Sequence, residues 1–262
     1  MIPKYLYHYT STETLKAIIT SGNIRFKRLD KLNDPYEGIV KINDNYIEFR
    51  KKAFCSCWTP NKDENMLMWS MYTGKNMDGV RIKMKSCMFA DSFSSLLETE
   101  SGFYPVENVS LIDYEGVHTQ TGKPITINSV YGPIKIEYVD DISKIYEKVT
   151  SSDYIRNNFK EFACGVDFKE LGIRKLKYWN GENEWRYIIW PFSFIGKYKS
   201  GSLDNFEVEA QKEYIDVPYE RSIEEILLGP GIRDSQKNEL KAWLKSKNIS
   251  TPLFDSYIKI NI

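Results

Sequence analysis

The chain has 262 residues, 42% of them hydrophobic and 14% aromatic, which excludes a disordered polar tract and supplies enough apolar material for a substantial core. Its 36 Lys and Arg balance 36 Asp and Glu, so no global field steers it towards nucleic acid or anionic lipid, although a local basic groove stays open. No apolar run reaches the roughly 18 residues of a membrane span and the N-terminus lacks a signal-peptide pattern, so a cytoplasmic protein without a membrane partner is expected.

Tyr5–Tyr9 is aromatic and β-prone, and His8 stands where an apolar residue would suffice, which makes it the first candidate for chemistry. Ser11 or Thr12 can cap a helix predicted over Thr12–Ser21. Glu13 lies in its first turn, Leu15, Ile18 and Ile19 recur at helical spacing, and Gly22 follows where the helix should stop. Ile24–Leu29 alternates apolar and basic as a half-buried strand does, and Asn33-Asp34-Pro35 turns the chain. Gly38–Arg50 is mixed and polar, with Ile42, Tyr46, Ile47 and Phe49 as anchors but no pattern that types it. Ala53–Trp58 reads as a buried central strand, Glu64–Tyr72 as a helix ended by Gly74 and Asn76, and Gly79–Met84 as an alternating strand.

The middle, about 85–177, carries fewer signals and reads as an elaboration of the core. Leu111–Tyr114 and Ile134–Val139 are expected as strands, and Asp141–Lys148 and Ser152–Leu171 as helices. Trp185–Trp190 is a strand by composition, approached through the turn-rich Trp179–Glu184, and Lys199–Asn205 is a polar loop. The tail holds a strand over Ile223–Leu228 stopped by Gly229-Pro230-Gly231, an amphipathic helix over Ser235–Lys247 and a closing strand over Phe254–Ile260. No linker or repeat divides the chain, so one α+β domain spanning 1–262 is expected.

Familiar catalytic patterns are mostly absent. His8 and His118 are the sole histidines, no Gly-x-Ser-x-Gly occurs, and neither a Walker A loop nor a Gly-x-Gly-x-x-Gly is found. The four cysteines are sparse and expected to be reduced; Cys55-x-Cys57 has no second pair beside it, so no metal site is predicted. A metal-dependent nuclease using Asp34, Glu37, Glu182 and Glu184 remains an alternative without a distinguishing spacing.

Several motifs carry a resemblance that runs nearly end to end. Tyr7-His8-Tyr9-Thr10, Asn33–Gly38, Met68–Tyr72 with Gly79-Val80, Trp179-x-x-Glu182-x-Glu184-x-Arg186 and Leu228-Gly229-Pro230 together resemble the bacterial domain-of-unknown-function family numbered 2971. That family brings a fold pattern and no activity. The order of elements is also similar to the ADP-ribosyltransferase fold: His8 on a first strand, Ser56 on a later strand followed by helix and strand, and Glu184 entering another strand. The chain departs from that pattern in keeping one serine in Cys55-Ser56-Cys57 and in the long insert before Glu182.

This second resemblance implies a mixed or antiparallel split sheet with NAD as substrate and no metal. It also implies an unidentified acceptor and a setting such as a toxin or phage-defence effector. Cleavage of the nicotinamide–ribose bond passes through an oxocarbenium-like state that a carboxylate stabilises, a role falling to Glu184. His8 would hold the ribose hydroxyls and Thr10, beside Tyr9, the adenosine side; Trp69 or Tyr72 would wall the nicotinamide, and Arg25 or Arg186 would pair with pyrophosphate. His8 and Glu184 should then share one concave pocket, with Tyr9 or Thr10 and Tyr72 nearby. The alternative places Trp69 and Tyr72 in the core and pairs Glu184 with Arg186 or Lys177 at a strand edge. A nucleotide-binding module without catalysis is the competing function.

Overall fold

The computed structural model describes residues 1–42, 45–89, 93–99, 102–109, 114–117, 124–127, 130–146, 150–151, 165–166, 170–189, 213–220 and 222–260. In chain order the first elements are β1 (Tyr5–Thr10), α1 (Thr12–Ser21), β2 (Asn23–Arg28), β3 (Ile39–Ile42), β4 (Asn45–Glu48), β5 (Phe54–Trp58), α2 (Met66–Tyr72) and β6 (Val80–Lys85). The middle contributes β7 (Phe93–Thr99), β8 (Gly102–Val109), β9 (Tyr114–Val117), β10 (Pro124–Ile127), β11 (Tyr131–Lys135), β12 (Glu137–Val139), α3 (Ser143–Tyr146), β13 (Thr150–Ser151) and β14 (Gly165–Val166). Then come β15 (Arg174–Leu176), β16 (Trp185–Ile189), β17 (Tyr214–Pro218), β18 (Glu225–Leu228), α4 (Asp234–Ser246) and β19 (Leu253–Asp255).

The fold is α+β, organised on two larger sheets. One runs β1-β6-β18-β19, and the other β11-β16-β5-β2-β17 with every neighbouring pair antiparallel. They meet where Tyr7 and Thr59 exchange backbone hydrogen bonds of 2.8 and 2.9 Å, past the end of β5. A shared core of Leu6, Leu15, Phe26, Phe54, Trp58, Ile82, Tyr187 and Ile226 lies against both sheets, with α1 and α4 adding Ile18, Leu240 and Leu244.

Local signals placed α1 well. The Ser11 hydroxyl accepts the Thr14 N–H at 3.0 Å, and Gly22 adopts φ 68°, which lets its N–H reach the Ile18 carbonyl at 2.9 Å. The Gly229-Pro230-Gly231 turn has a tertiary reason as well as a local one. The Gly229 N–H donates to the Gly79 carbonyl at 2.9 Å, and a Cβ on Gly229 would stand 2.2 Å from the Met77 carbonyl oxygen.

Several expectations change. Gly38–Arg50 holds the β3–β4 hairpin followed by a 3-10 turn over Phe49–Lys52. Within the helix expected over Ser152–Leu171, Gly165–Val166 is a strand paired with Thr150–Ser151, since glycine is a poor helix residue and β-branched Val166 favours the extended form; residues 152–164 and 167–169 lie outside those described. So do His118, Trp190 and the Lys199–Asn205 loop. Ile134–Val139 is divided between β11 and β12, the closing strand shortens to Leu253–Asp255, and β17 was not foreseen. The 85–177 stretch is more than an elaboration, since β11 completes one edge of the five-stranded sheet. No described helix is long and apolar enough to cross a membrane.

Candidate functional site

Four short segments bring five charged side chains together. Glu37 comes from the Asn33–Gly38 turn, where Asp34 Oδ1 accepts the Tyr36 N–H at 2.9 Å. Gly38 closes that turn at φ 71°, with a Cβ there only 2.9 Å from the Arg50 Cα. Lys175 lies on β15, and Glu182 ends a 3-10 segment over Lys177–Glu182. Asn183 then takes a left-handed φ of 43°, and Glu184 and Arg186, two residues apart, enter β16 on one face.

Arg186 is fully buried and forks on both sides. Nε and Nη2 donate to the two Glu184 oxygens at 2.6 and 2.9 Å, Nη1 and Nη2 donate to Glu37 at 2.7 and 3.1 Å, and Nη1 also reaches the Gly172 carbonyl at 2.6 Å. Lys175 Nζ sits 2.8 Å from Glu182, 2.8 Å from Glu184 and 3.2 Å from Glu37, with the Trp179 ring centroid at 5.0 Å. The second Glu182 oxygen accepts the Tyr72 phenol, and the Glu184 backbone N–H donates to the Tyr138 hydroxyl at 2.8 Å.

Burial would raise the Glu184 carboxyl, but Arg186 and Lys175 outweigh it and hold it well below the usual carboxylate range. Burial alone would lower the Lys175 pKa; the surrounding glutamates reverse this and push it up. Burial, reinforced by the glutamates beside them, raises the phenols of Tyr72 and Tyr138, the latter to about 12, so both stay neutral. The cluster therefore sets three carboxylates against two cations. Asp34, 1% exposed beside it, has its pKa raised by burial and then by Glu37, and its Oδ2 has no hydrogen-bond partner.

The other sequence candidates divide into three groups. His8 is half-buried; its Nδ1 donates to the Cys57 carbonyl at 2.9 Å, which fixes the tautomer, and its ring packs 5.0 Å from that of Trp58. Burial lowers the His8 pKa, so it is neutral at neutral pH. Cys57 stands opposite Arg186, the partner of Glu184, across β5 and β16, whereas the His8 ring packs on Trp58, which alternates to the other face of β5, so His8 and Glu184 approach the same strand from different faces. Ser56 is buried one residue from Cys57 and accepts the Trp58 indole N–H at 2.9 Å.

Tyr9 and Trp69 pack on each other edge-to-face at 4.7 Å in a second core with Met68 and Leu227, and Thr10 is buried as well. Trp69 is thus core, as the alternative had it, whereas Tyr72 is 36% exposed. Arg25 stands apart on the β2–β17 edge, bound by both oxygens of Asp216 and stacked 3.7 Å over Tyr214. Arg186 has every N–H engaged, leaving none for a pyrophosphate. A cavity of about 390 Å³ beside α4, lined by Lys241, Leu244 and Leu253 among others, involves none of the candidates.

Sequence reasoning missed Lys175 and Tyr138. Lys175 sits in Arg174-Lys175-Leu176, on a three-residue strand that no apolar alternation marks, and both basic residues are buried. Glu37, Glu182 and Glu184 do converge, but on an ammonium and a guanidinium; among the described residues no group of three or more His, Cys, Asp or Glu is placed to hold a metal ion. No family model, curated protein or solved structure matches the chain.

Proposed function

We propose that this chain consumes NAD as an ADP-ribosyltransferase-like enzyme, with its centre where β1, β5 and β16 come together. The observation that carries the reading is the shared neighbour: His8 donates to the Cys57 carbonyl at 2.9 Å, while Cys57 stands opposite Arg186 across β5 and β16, and Arg186 holds Glu184, far away in sequence. A histidine on β1 and a carboxylate at the entry to β16, in two sheets that meet past the end of β5, suit a dinucleotide whose nicotinamide–ribose bond is to be broken. As that bond lengthens, its electron pair leaves with nicotinamide, and positive charge develops at the ribose carbon. Buried carboxylates in excess over cations stabilise that charge more than they stabilise the neutral sugar.

A nucleotide-binding module without turnover is the second reading, favoured by the saturation of Glu184 by Arg186 and Lys175. Incubation with labelled NAD and a cell lysate separates the two. The enzyme releases nicotinamide and labels an acceptor, whereas the module gives saturable heat in calorimetry without release. Absence of both would remove NAD from consideration.

A further inference from the structure

The three carboxylates of the cluster differ in what a ligand would have to displace to reach them. Both Glu184 oxygens are held by Arg186, one of them by Lys175 as well, and both Glu37 oxygens are held by Arg186 with Lys175 at 3.2 Å. Opening either one leaves two N–H groups of the fully buried Arg186 without acceptors, which costs roughly a hundred-fold or more in any binding equilibrium. Glu182 is different. One oxygen rests on Lys175, and the other accepts a neutral phenol, that of Tyr72.

Tyr72 is also the cluster's route to solvent. Glu37, Lys175, Glu182, Glu184 and Arg186 are each at most 5% exposed, while Tyr72 is 36% exposed and Leu67 and Tyr178 nearby are 41% and 64% exposed. Beneath Tyr178 the Trp179 indole N–H is buried with no acceptor. A hydroxyl arriving at this surface can take the place of the Tyr72 phenol on Glu182, exchanging one neutral donor for another with no charge uncovered.

We infer that Glu182, and not Glu184, is the carboxylate that receives a substrate hydroxyl, and that the Tyr72 phenol is the internal occupant it displaces. Glu37, Glu184 and Arg186 then form the support, and Lys175 positions Glu182 from below. The identification of the hydroxyl as one on ribose rests on the NAD-consuming reading above. Glu182 would be catalytic within that reading; Lys175 acts through it.

The test sets two variants against each other. Tyr72→Phe removes the competing donor but keeps the ring, so NAD and ADP-ribose should bind about five-fold more tightly, the worth of one ordinary hydrogen bond. Glu182→Gln removes the charged acceptor and should weaken both by about ten-fold or more. It leaves Lys175 with two carboxylates, so the variant is expected to fold, and circular dichroism checks this. Opposite signs in calorimetry support the inference, because a merely structural Tyr72–Glu182 contact has no means of tightening binding when cut. The inference is overturned if Tyr72→Phe binds no better than the natural protein, if Glu182→Gln binds equally well, or if neither ligand binds at all. Opposite signs without nicotinamide release would uphold Glu182 as the ligand carboxylate and end the transferase reading. Release that both variants leave unchanged would do the reverse.

Discussion

Replacing Arg186 by Met removes the one side chain that grips two glutamates at once. The guanidinium is fully buried and donates five hydrogen bonds, four to Glu37 and Glu184 and one to the Gly172 carbonyl. After the change three carboxylates face Lys175 alone. Breaking a buried pair while its partner stays costs about 3–5 kcal/mol, a large part of the roughly 5–15 kcal/mol that holds a protein of this kind together. At about 2–4 °C per kcal/mol the melting temperature should fall by about 6–20 °C at neutral pH. Arg186→Lys keeps the charge without the fork and should lose clearly less.

The pH dependence gives a sharper check. In the Met variant the stranded carboxylates have folded pKa values raised above their unfolded ones, so the penalty is full above the folded values and disappears below the unfolded ones. The gap between variant and natural protein should therefore narrow between about pH 7.5 and about pH 4.5, measured by urea denaturation at each pH. A gap below about 1 kcal/mol at neutral pH, or one of equal size at both pH values, would refute the claim that the cluster is held by buried charge pairing.

Two other outcomes follow from the same geometry. Gly229→Ala forces a Cβ to 2.2 Å from the Met77 carbonyl oxygen and should cost about 1–3 kcal/mol in denaturation, whereas Gly22→Ala, with nothing within 4 Å, should show only the smaller strain of its positive φ. The natural protein should lose stability on acidification in two stages. Neutral His8, its pKa lowered by burial, contributes stability that is full above its unfolded value of about 6.5 and declines as pH falls from there towards its folded value. Glu184, depressed by Arg186 and Lys175, holds its contribution down to its unfolded value of about 4.3 and loses it below. His8→Gln should abolish the first stage in an acid titration followed by circular dichroism, and leave the second.

What the sequence determined by itself was everything written in local chemistry. Ser11, the Leu15–Ile18 spacing and Gly22 sufficed to bound α1 because a cap, a stripe and a stop act within one element. The compact composition of Ala53–Trp58 likewise sufficed to mark β5 as central. Partners were decided only by the tertiary structure. Glu184 and Arg186 are adjacent on one face in any strand, but whether that pair is an exposed edge or a buried fork depends on Glu37 and Lys175, which arrive from a turn and from β15. The same holds for Trp69 and Tyr72, three residues apart on α2. Helical spacing treats them alike; the packing of Tyr9 against one and the open side of the other leaves Trp69 fully buried and Tyr72 at the surface with its hydroxyl on Glu182. A periodicity gives the direction of a side chain, and what waits in that direction belongs to the rest of the chain.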